Sequence, residues 1–146
     1  MKIAIGSDPN ASGEKYSLIK FIEDNNLGEV TDFGSDDPIY ANVAIEVATQ
    51  VASKRFDKGI LLCGTGLGMS IAANKVKGAY AALLSDIYSA KRAVLSNDAN
   101  IACMGAFTIG EKLREELIYT FLTNKFNSKS ASKKKVDAFV DYDMNR

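Results

Sequence analysis

The chain has 146 residues, 47% hydrophobic and 25% charged, enough apolar material for one compact unit with a real core. Eighteen basic and eighteen acidic side chains cancel, so nothing in the bulk charge points to DNA, RNA or anionic lipid as a partner. No histidine is present, which excludes a histidine triad or shuttle and the usual zinc site; acid–base work falls to Cys, Asp, Glu, Lys, Tyr or hydroxyls.

Lys2 to Gly6 is a short apolar run and reads as a first strand. Glu14 to Asp24 places Tyr16, Leu18, Ile19, Phe21 and Ile22 on roughly one helical face. Glu29 to Phe33 reads as a second strand, stopped by Gly34 and the polar turn Ser35-Asp36-Asp37-Pro38. Ile39 to Ser53 is helical, with Val43, Ile45, Val47, Ala48, Val51 and Ala52 as its apolar positions. Lys58 to Leu62 and Ala79 to Leu84 are continuous apolar strands, as expected when both sheet faces are covered. Between them, Met69 to Val76 carries a helical pattern. Asp86 to Leu95 is helical, Ile101 to Met104 is a fifth strand, and Glu111 to Leu122 is a helix with Leu113, Leu117, Ile118, Phe121 and Leu122 on one side. The polar, basic stretch Asn124 to Lys135 leaves the core as a loop, and a final helix is expected from about Lys133 to Asp141.

Strands and helices alternate five times through short connections. The expected fold is α/β: a five-stranded parallel sheet, doubly wound, with helices on both faces in a three-layer Rossmann-like arrangement. No apolar run approaches the roughly 18–20 residues needed to span a bilayer, and MKIAIGSD lacks the apolar region and cleavage pattern of a secretory leader. Two cysteines, Cys63 and Cys103, are too few for a disulfide framework, and reduced thiols in the cytoplasm are the expectation.

Ligands of such sheets bind outside the carboxyl ends of the strands. Asp8 follows strand one, Cys63 and Thr65 follow strand three, Ser85 and Asp86 follow strand four, and Gly105 ends strand five. The first and third strands are expected side by side at a topological switch point. Cys63-Gly64-Thr65-Gly66-Leu67-Gly68 is the strongest local signal: a thiol at a strand end, beside a turn rich in backbone N–H groups that opens a helix. That setting suits a thiol acting as base or nucleophile, although a buried structural thiol is the commoner fate of cysteine. The turn itself has a bland reading, a simple strand-to-helix joint. A dinucleotide fingerprint would follow the first strand as G-x-G-x-x-G, where only Gly6 stands, and no Walker lysine follows Gly68. Cys103, inside an apolar strand, reads as core filler. Asp8 could be only a helix cap, Asn97, Asp98 and Asn100 only turn chemistry, and Lys133, Lys134 and Lys135 only a solvated patch.

Together these segments resemble the ribose-5-phosphate isomerase B and galactose-6-phosphate isomerase family over nearly the whole chain. The carriers are MKIAIGSD, Asp57 to Asn74 (DKGILLCGTGLGMSIAAN), Lys75 to Gly78, SDIYSAKRA, NDANIACMGAFTIG and the final helix. The resemblance implies an aldose–ketose isomerase that works through a cis-enediolate without metal, nucleotide or other cofactor. It implies a single isomerase domain over residues 1–146, with an αβα core over 1–124 and a basic loop and tail helix over 125–146. By motif position, Cys63 would move the proton between C1 and C2. Some members use a glutamate where this chain has Met69, which cannot serve. Thr65 would help move the hydroxyl proton. The N–H groups of Gly64 and Gly68, with Asn97, would hold the oxyanion, and Asp8 would bind sugar hydroxyls. Family members are dimers or higher, so a homodimer or homotetramer is expected, with Asn97 and the basic segment acting across an interface.

The departures are chemical. Family members acting on ribose 5-phosphate usually carry histidines where this chain has Pro9 and Ser96, and these are associated with opening the sugar ring. An arginine that contacts phosphate is replaced by Phe107, and the arginines of the tail by lysines, with Lys134 and Lys135 among the nearest. A tetrose 4-phosphate has its only useful ring-closing hydroxyl esterified and needs no ring opening. Tyr40-Ala41-Asn42, Ser89 to Ala93 with Leu95-Ser96-Asn97, and Ser130-Ala131 also resemble the erythrulose-4-phosphate isomerase branch. The expected substrate is therefore a phosphorylated sugar, first an erythrulose 4-phosphate. Ribose 5-phosphate or a hexose 6-phosphate is the alternative, and a non-catalytic sugar-phosphate-binding subunit a third reading.

Overall fold

The computed structural model describes residues 1–146. Its five strands are β1 (Lys2–Ser7), β2 (Glu29–Asp32), β3 (Lys58–Cys63), β4 (Ala81–Leu83) and β5 (Ile101–Gly105). All pair in parallel, in the order β2-β1-β3-β5-β4. The helices are α1 (Ser12–Asp24), α2 (Tyr40–Ala52), α3 (Leu67–Ala73), α4 (Ile87–Leu95), α5 (Glu111–Thr123) and α6 (Lys133–Asn145).

Alternation along the strands makes the three layers. Ile3, Ile5, Ile60, Leu62 and Met104 point to one face and pack with Leu18 and Ile22 of α1, Val94 of α4 and Phe121 of α5. Ala4, Leu61, Cys63, Ile101 and Cys103 point to the other, against Val43 and Val47 of α2 and Met69 of α3. Both faces of β1, β3 and β5 are therefore dry, which is why these strands read as unbroken apolar runs. The expected neighbours meet: Ser7 of β1 is in register with Leu62 of β3, and the chain leaves that boundary in opposite directions. No helix is long and apolar enough to cross a membrane.

Four expectations need correction. The strand expected over Ala79–Leu84 is only Ala81–Leu83, at the sheet edge, with Leu83 exposed. Side chains replace strand pairing there: Asn100 Oδ1 accepts from the Tyr80 N–H (2.7 Å), and Asn74 Oδ1 from that of Ala81 (2.8 Å). On α1, which starts earlier at Ser12, the expected apolar face includes Tyr16. The buried stripe is instead Lys15, Leu18 and Ile22, while Tyr16 is 57% exposed. Lys15 is tolerated inside because its ammonium donates to both Asp32 oxygens (2.8 Å each) and to Ser35 Oγ (3.0 Å). Helix α3 runs over Leu67–Ala73 rather than Met69–Val76, because the left-handed turn at Gly66 launches it earlier. The tail helix extends beyond Asp141 to Asn145. It docks through buried Val136, an edge-on contact of Phe139 with Tyr80 (5.3 Å), and Asp143, whose Oδ2 accepts from the Gly78 N–H (2.7 Å) and the Tyr80 hydroxyl (3.0 Å).

Candidate active site

At the carboxyl end of β3 the backbone turns sharply at Gly66, which holds φ 80 and ψ −11. Only glycine adopts this conformation freely, and a Cβ here would also stand 2.8 Å from the Met104 carbonyl carbon. The turn brings the Gly66 N–H onto Cys63 Sγ at 3.1 Å. Cys63 is 5% exposed, so its sulfur is shielded yet hydrogen-bonded, and it lies next to the first turn of α3. Thr65 is exposed; its Oγ1 accepts from the Leu67 N–H at 3.3 Å, leaving its own proton available to donate. Gly68 sits in that first turn, where N–H groups have no partner inside the helix. Cys103, two strand positions below and on the same face, is fully buried, and that burial pushes its thiol well above the ordinary range. Its reading as core filler stands.

Two neighbouring strand ends frame this loop. After β1, Asp8 is buried, with Oδ1 accepting from the Ala11 N–H (3.2 Å) and Oδ2 from Asn10 Nδ2 (3.3 Å). It caps the short 3-10 turn Pro9–Ala11, so the capping role is real in this structure, at the strand end next to Cys63. After β5, the Ala106 N–H donates to the Cys63 carbonyl (2.8 Å) and the Phe107 N–H to that of Gly64 (3.0 Å). These bonds tie the β5–α5 turn to the thiol loop. Ser85 and Asp86 follow β4 at its edge, and the Asp86 carboxylate is spent on capping α4 through the Ser89 N–H (2.7 Å).

Aromatic rings cover both glycines proposed as donors, which the sequence did not suggest. A Cβ on Gly64 would lie 3.0 Å from the Phe107 ring, and one on Gly68 would overlap the ring of Tyr40. Tyr40 opens α2, and the Asp37 carboxylate just before it accepts from the Ile39 N–H and the Asn42 amide. Those bonds, Asn42 first, hold the Asp37 carboxyl below the usual carboxylate range. The available signal was the pair of glycines itself: a missing Cβ on a loop often marks where another group approaches closely.

The remaining expected residues are elsewhere. Ser96 and exposed Asn97 follow α4 at the amino end of β5, whereas Cys63 stands at the carboxyl end of the sheet. Strand β5 alone separates the two ends by about 13 Å at ~3.3 Å per residue. One chain therefore does not bring Ser96 or Asn97 to Cys63. Ser96 Oγ accepts from Arg92 Nε (2.7 Å). Lys134 and Lys135 are exposed in the first turn of α6. Cys63, Thr65, Gly64, Gly68 and Asp8 form one cluster; Ser96, Asn97, Lys134 and Lys135 do not join it within the chain.

Residues 3–139 match the family described as Ribose/Galactose Isomerase. The Ribose-5-P isomerase B of Listeria innocua is 45% identical over 99% of this chain and 98% of its own. The D-erythrulose-4-phosphate isomerase 2 of Mycolicibacterium smegmatis is 41% identical over 98% and 97%. Among solved structures, the type B ribose 5-phosphate isomerase from Trypanosoma cruzi superposes with a TM-score of 0.93 at 35% identity, covering 100% of both chains. With fold and sequence agreeing, the chain belongs to the Ribose/Galactose Isomerase family and is a sugar-phosphate isomerase.

Proposed function

We propose that residues 1–146 act as one isomerase domain that interconverts an erythrulose 4-phosphate and an erythrose 4-phosphate. Cys63 takes a proton from C1 of the ketose. The electrons of that C–H bond form the C1–C2 double bond, and the carbonyl electrons move onto O2, giving a cis-enediolate. The N–H groups of Gly64 and Gly68 receive the charge on O2; one such donor contributes on the order of 3–4 kcal/mol to catalysis. Cys63 then returns the proton to C2 while Thr65 helps transfer the hydroxyl proton from O1 to O2. The products are an aldehyde at C1 and a hydroxyl at C2, with no net redox change. The single observation that carries this reading is the Cys63–Gly68 loop, where a shielded thiol, a free hydroxyl and a helix-opening turn converge.

The choice of a tetrose rests on two further features. The chain has no histidine to open a furanose, and the apolar Phe107 ring lies on Gly64 and takes up room at one side of the loop. Asp8 lies beside the loop with Oδ1 accepting from the Ala11 N–H and Oδ2 from Asn10, and the second lone pair of each oxygen is left for sugar hydroxyls. The erythrulose-4-phosphate isomerase of Mycolicibacterium smegmatis supports this assignment, while the Listeria innocua relative keeps ribose 5-phosphate as the second reading.

The active unit in this proposal is a homodimer or larger assembly. Asn97 and Ser96 of a second copy reach the Cys63 loop, with Lys134 and Lys135 supplying positive charge for the phosphate. Exposed Leu67, Ile71 and Leu83 beside the loop, with Ile87 and Tyr88 opening α4, offer an apolar surface for that contact. The two free cysteines fit a reducing cytoplasm.

A panel of phosphorylated aldoses and ketoses, scored by kcat/KM, tests the substrate. The four-carbon phosphate is expected to lead; strong ribose 5-phosphate turnover with none on erythrulose 4-phosphate rejects it. Cys63→Ala is expected to lose turnover while still binding a phosphorylated ligand. Full activity in that variant removes Cys63 as the base, and binding without turnover in the unaltered chain points to the non-catalytic reading.

A further inference from the structure

Among the cations the mechanism leaves unused, Lys58 is partly buried at the end of the sheet remote from Cys63. Lys58 begins β3, and its Nζ donates to the Ala99 carbonyl at 2.8 Å while lying 4.8 Å from the centre of the Phe121 ring. Burial lowers its pKa from the ordinary lysine value, only partly opposed by Asp98; Lys54 and Asp57 are the other charges nearby. Taking an ammonium partly out of water costs free energy, which a hydrogen bond to a fixed acceptor offsets. Here its hydrogen-bond partner is the backbone of the turn that carries Asn97.

That turn is shaped with unusual care for a polar connection. Asp98 adopts φ 50, in the left-handed region, and burial raises its carboxyl pKa. The Asp98 and Ala99 N–H groups close onto the Val94 and Ala93 carbonyls of α4 at 3.1 and 2.9 Å. On the far side, Asn100 donates to the Gly78 carbonyl (2.9 Å) and accepts from the Tyr80 N–H (2.7 Å). The Asn97 side chain is exposed and makes no hydrogen bond in the chain; the Asp98 side chain beside it is exposed too, with Lys58 as the nearest opposite charge. A turn fixed at 98, 99 and 100 projects residue 97 outward.

We infer that Lys58 is a positioning residue, which through the Ala99 carbonyl fixes the 96–100 turn so that Asn97 is presented in one orientation to the site of a second copy. The inference rests on the proposed role of Asn97 as an oxyanion donor. A donor of this kind works only if held in place before the charge develops, and a displacement of about 1 Å can lower a rate by roughly 100-fold. Lys58 therefore affects kcat and not substrate binding, although it touches no substrate.

The test is a double-mutant cycle on the full chain, with kcat and KM measured for the unaltered protein, Lys58→Met, Asn97→Ala and the double variant. Methionine keeps an apolar stem of similar length and removes Nζ, and with it both the donor to Ala99 and the cation over the Phe121 ring. Lys58→Met is expected to lower kcat by about 10- to 100-fold with KM within about threefold. The double variant is expected to match Asn97→Ala, because the lysine acts through that residue. Fully multiplicative losses, or a kcat unchanged by Lys58→Met while Asn97→Ala is slow, overturn the inference and leave the Asn97 role intact. Full turnover by Asn97→Ala overturns the donor role and the inference with it. If Lys58→Met fails to fold, Lys58→Gln is put through the same cycle; it shortens the reach to Ala99 but keeps a polar end beside Asp57 and Asp98, and the same outcomes decide.

Discussion

Replacing Gly66 with alanine tests whether the thiol loop depends on its left-handed turn. At φ 80 an alanine costs about 1–2 kcal/mol in backbone conformation alone. The new Cβ would also stand 2.7 Å from Leu83 Cδ1, 2.8 Å from the Met104 carbonyl carbon and 3.0 Å from its nitrogen. Leu83 is an exposed edge side chain and can move aside. Met104 belongs to β5, paired on both sides, and its backbone cannot. Overpacking against fixed backbone adds about 1–3 kcal/mol, so Gly66→Ala should lose about 2–5 kcal/mol of stability. For a chain of this length, that is roughly 4–20 °C in Tm. Urea unfolding with an unchanged slope gives the number directly. Turnover should fall in the folded fraction too, since the Gly66 N–H is the group held on Cys63 Sγ. Gly13→Ala is the control: its Cβ meets nothing within 4 Å, and in the first turn of α1 the change should be neutral or stabilise by up to about 1 kcal/mol. A Gly66→Ala protein that loses less than about 1 kcal/mol and keeps full kcat would refute the reasoning.

Two other perturbations address how the scaffold is held. Hydrogen bonds from the Gly78 N–H first, and then from Arg146 and Tyr80, keep the Asp143 carboxyl below its ordinary value of 3.8. Its stabilising contribution is therefore complete above that ordinary value and disappears as pH falls through the lowered one. Asp143→Asn should lower stability by about 1–2 kcal/mol at neutral pH. The gap from the unaltered chain should close in acid; urea midpoints that differ equally at pH 7 and pH 2.5 would contradict this. Lys15→Met removes a fully buried cation but leaves Asp32, about a third exposed, partly able to reach water. A loss of about 1–3 kcal/mol is expected, below the ~3–5 kcal/mol of a fully buried pair. Denaturation of the double variant Lys15→Met/Asp32→Asn checks it, because most of the lost stability should return.

What was legible in the chain follows from which groups decide each feature. β1, β3 and β5 were readable because dry packing on both faces forces unbroken apolar runs, and the alternation of elements implied the parallel sheet. Lys15 was not, because a buried lysine is permitted only by Asp32 and Ser35, which lie 17 and 20 residues away and enter no local pattern. β4 was overdrawn for a related reason: the apolar run is there, but Asn74 and Asn100 capture the backbone that would have extended it. The site divides the same way. Cys63, Thr65, Gly64 and Gly68 are consecutive or nearly so, and their strand-turn-helix context is local. Asn97 is equally conspicuous in sequence, yet the fold sends it to the opposite end of the sheet from Cys63. That separation is itself informative. The parallel sheet keeps residues before and after β5 apart in every copy, and no side-chain motion spans about 13 Å of strand. If Asn97 serves the reaction, it serves it in another molecule. Dilution below the dissociation constant of the assembly should then abolish turnover in a chain that remains folded.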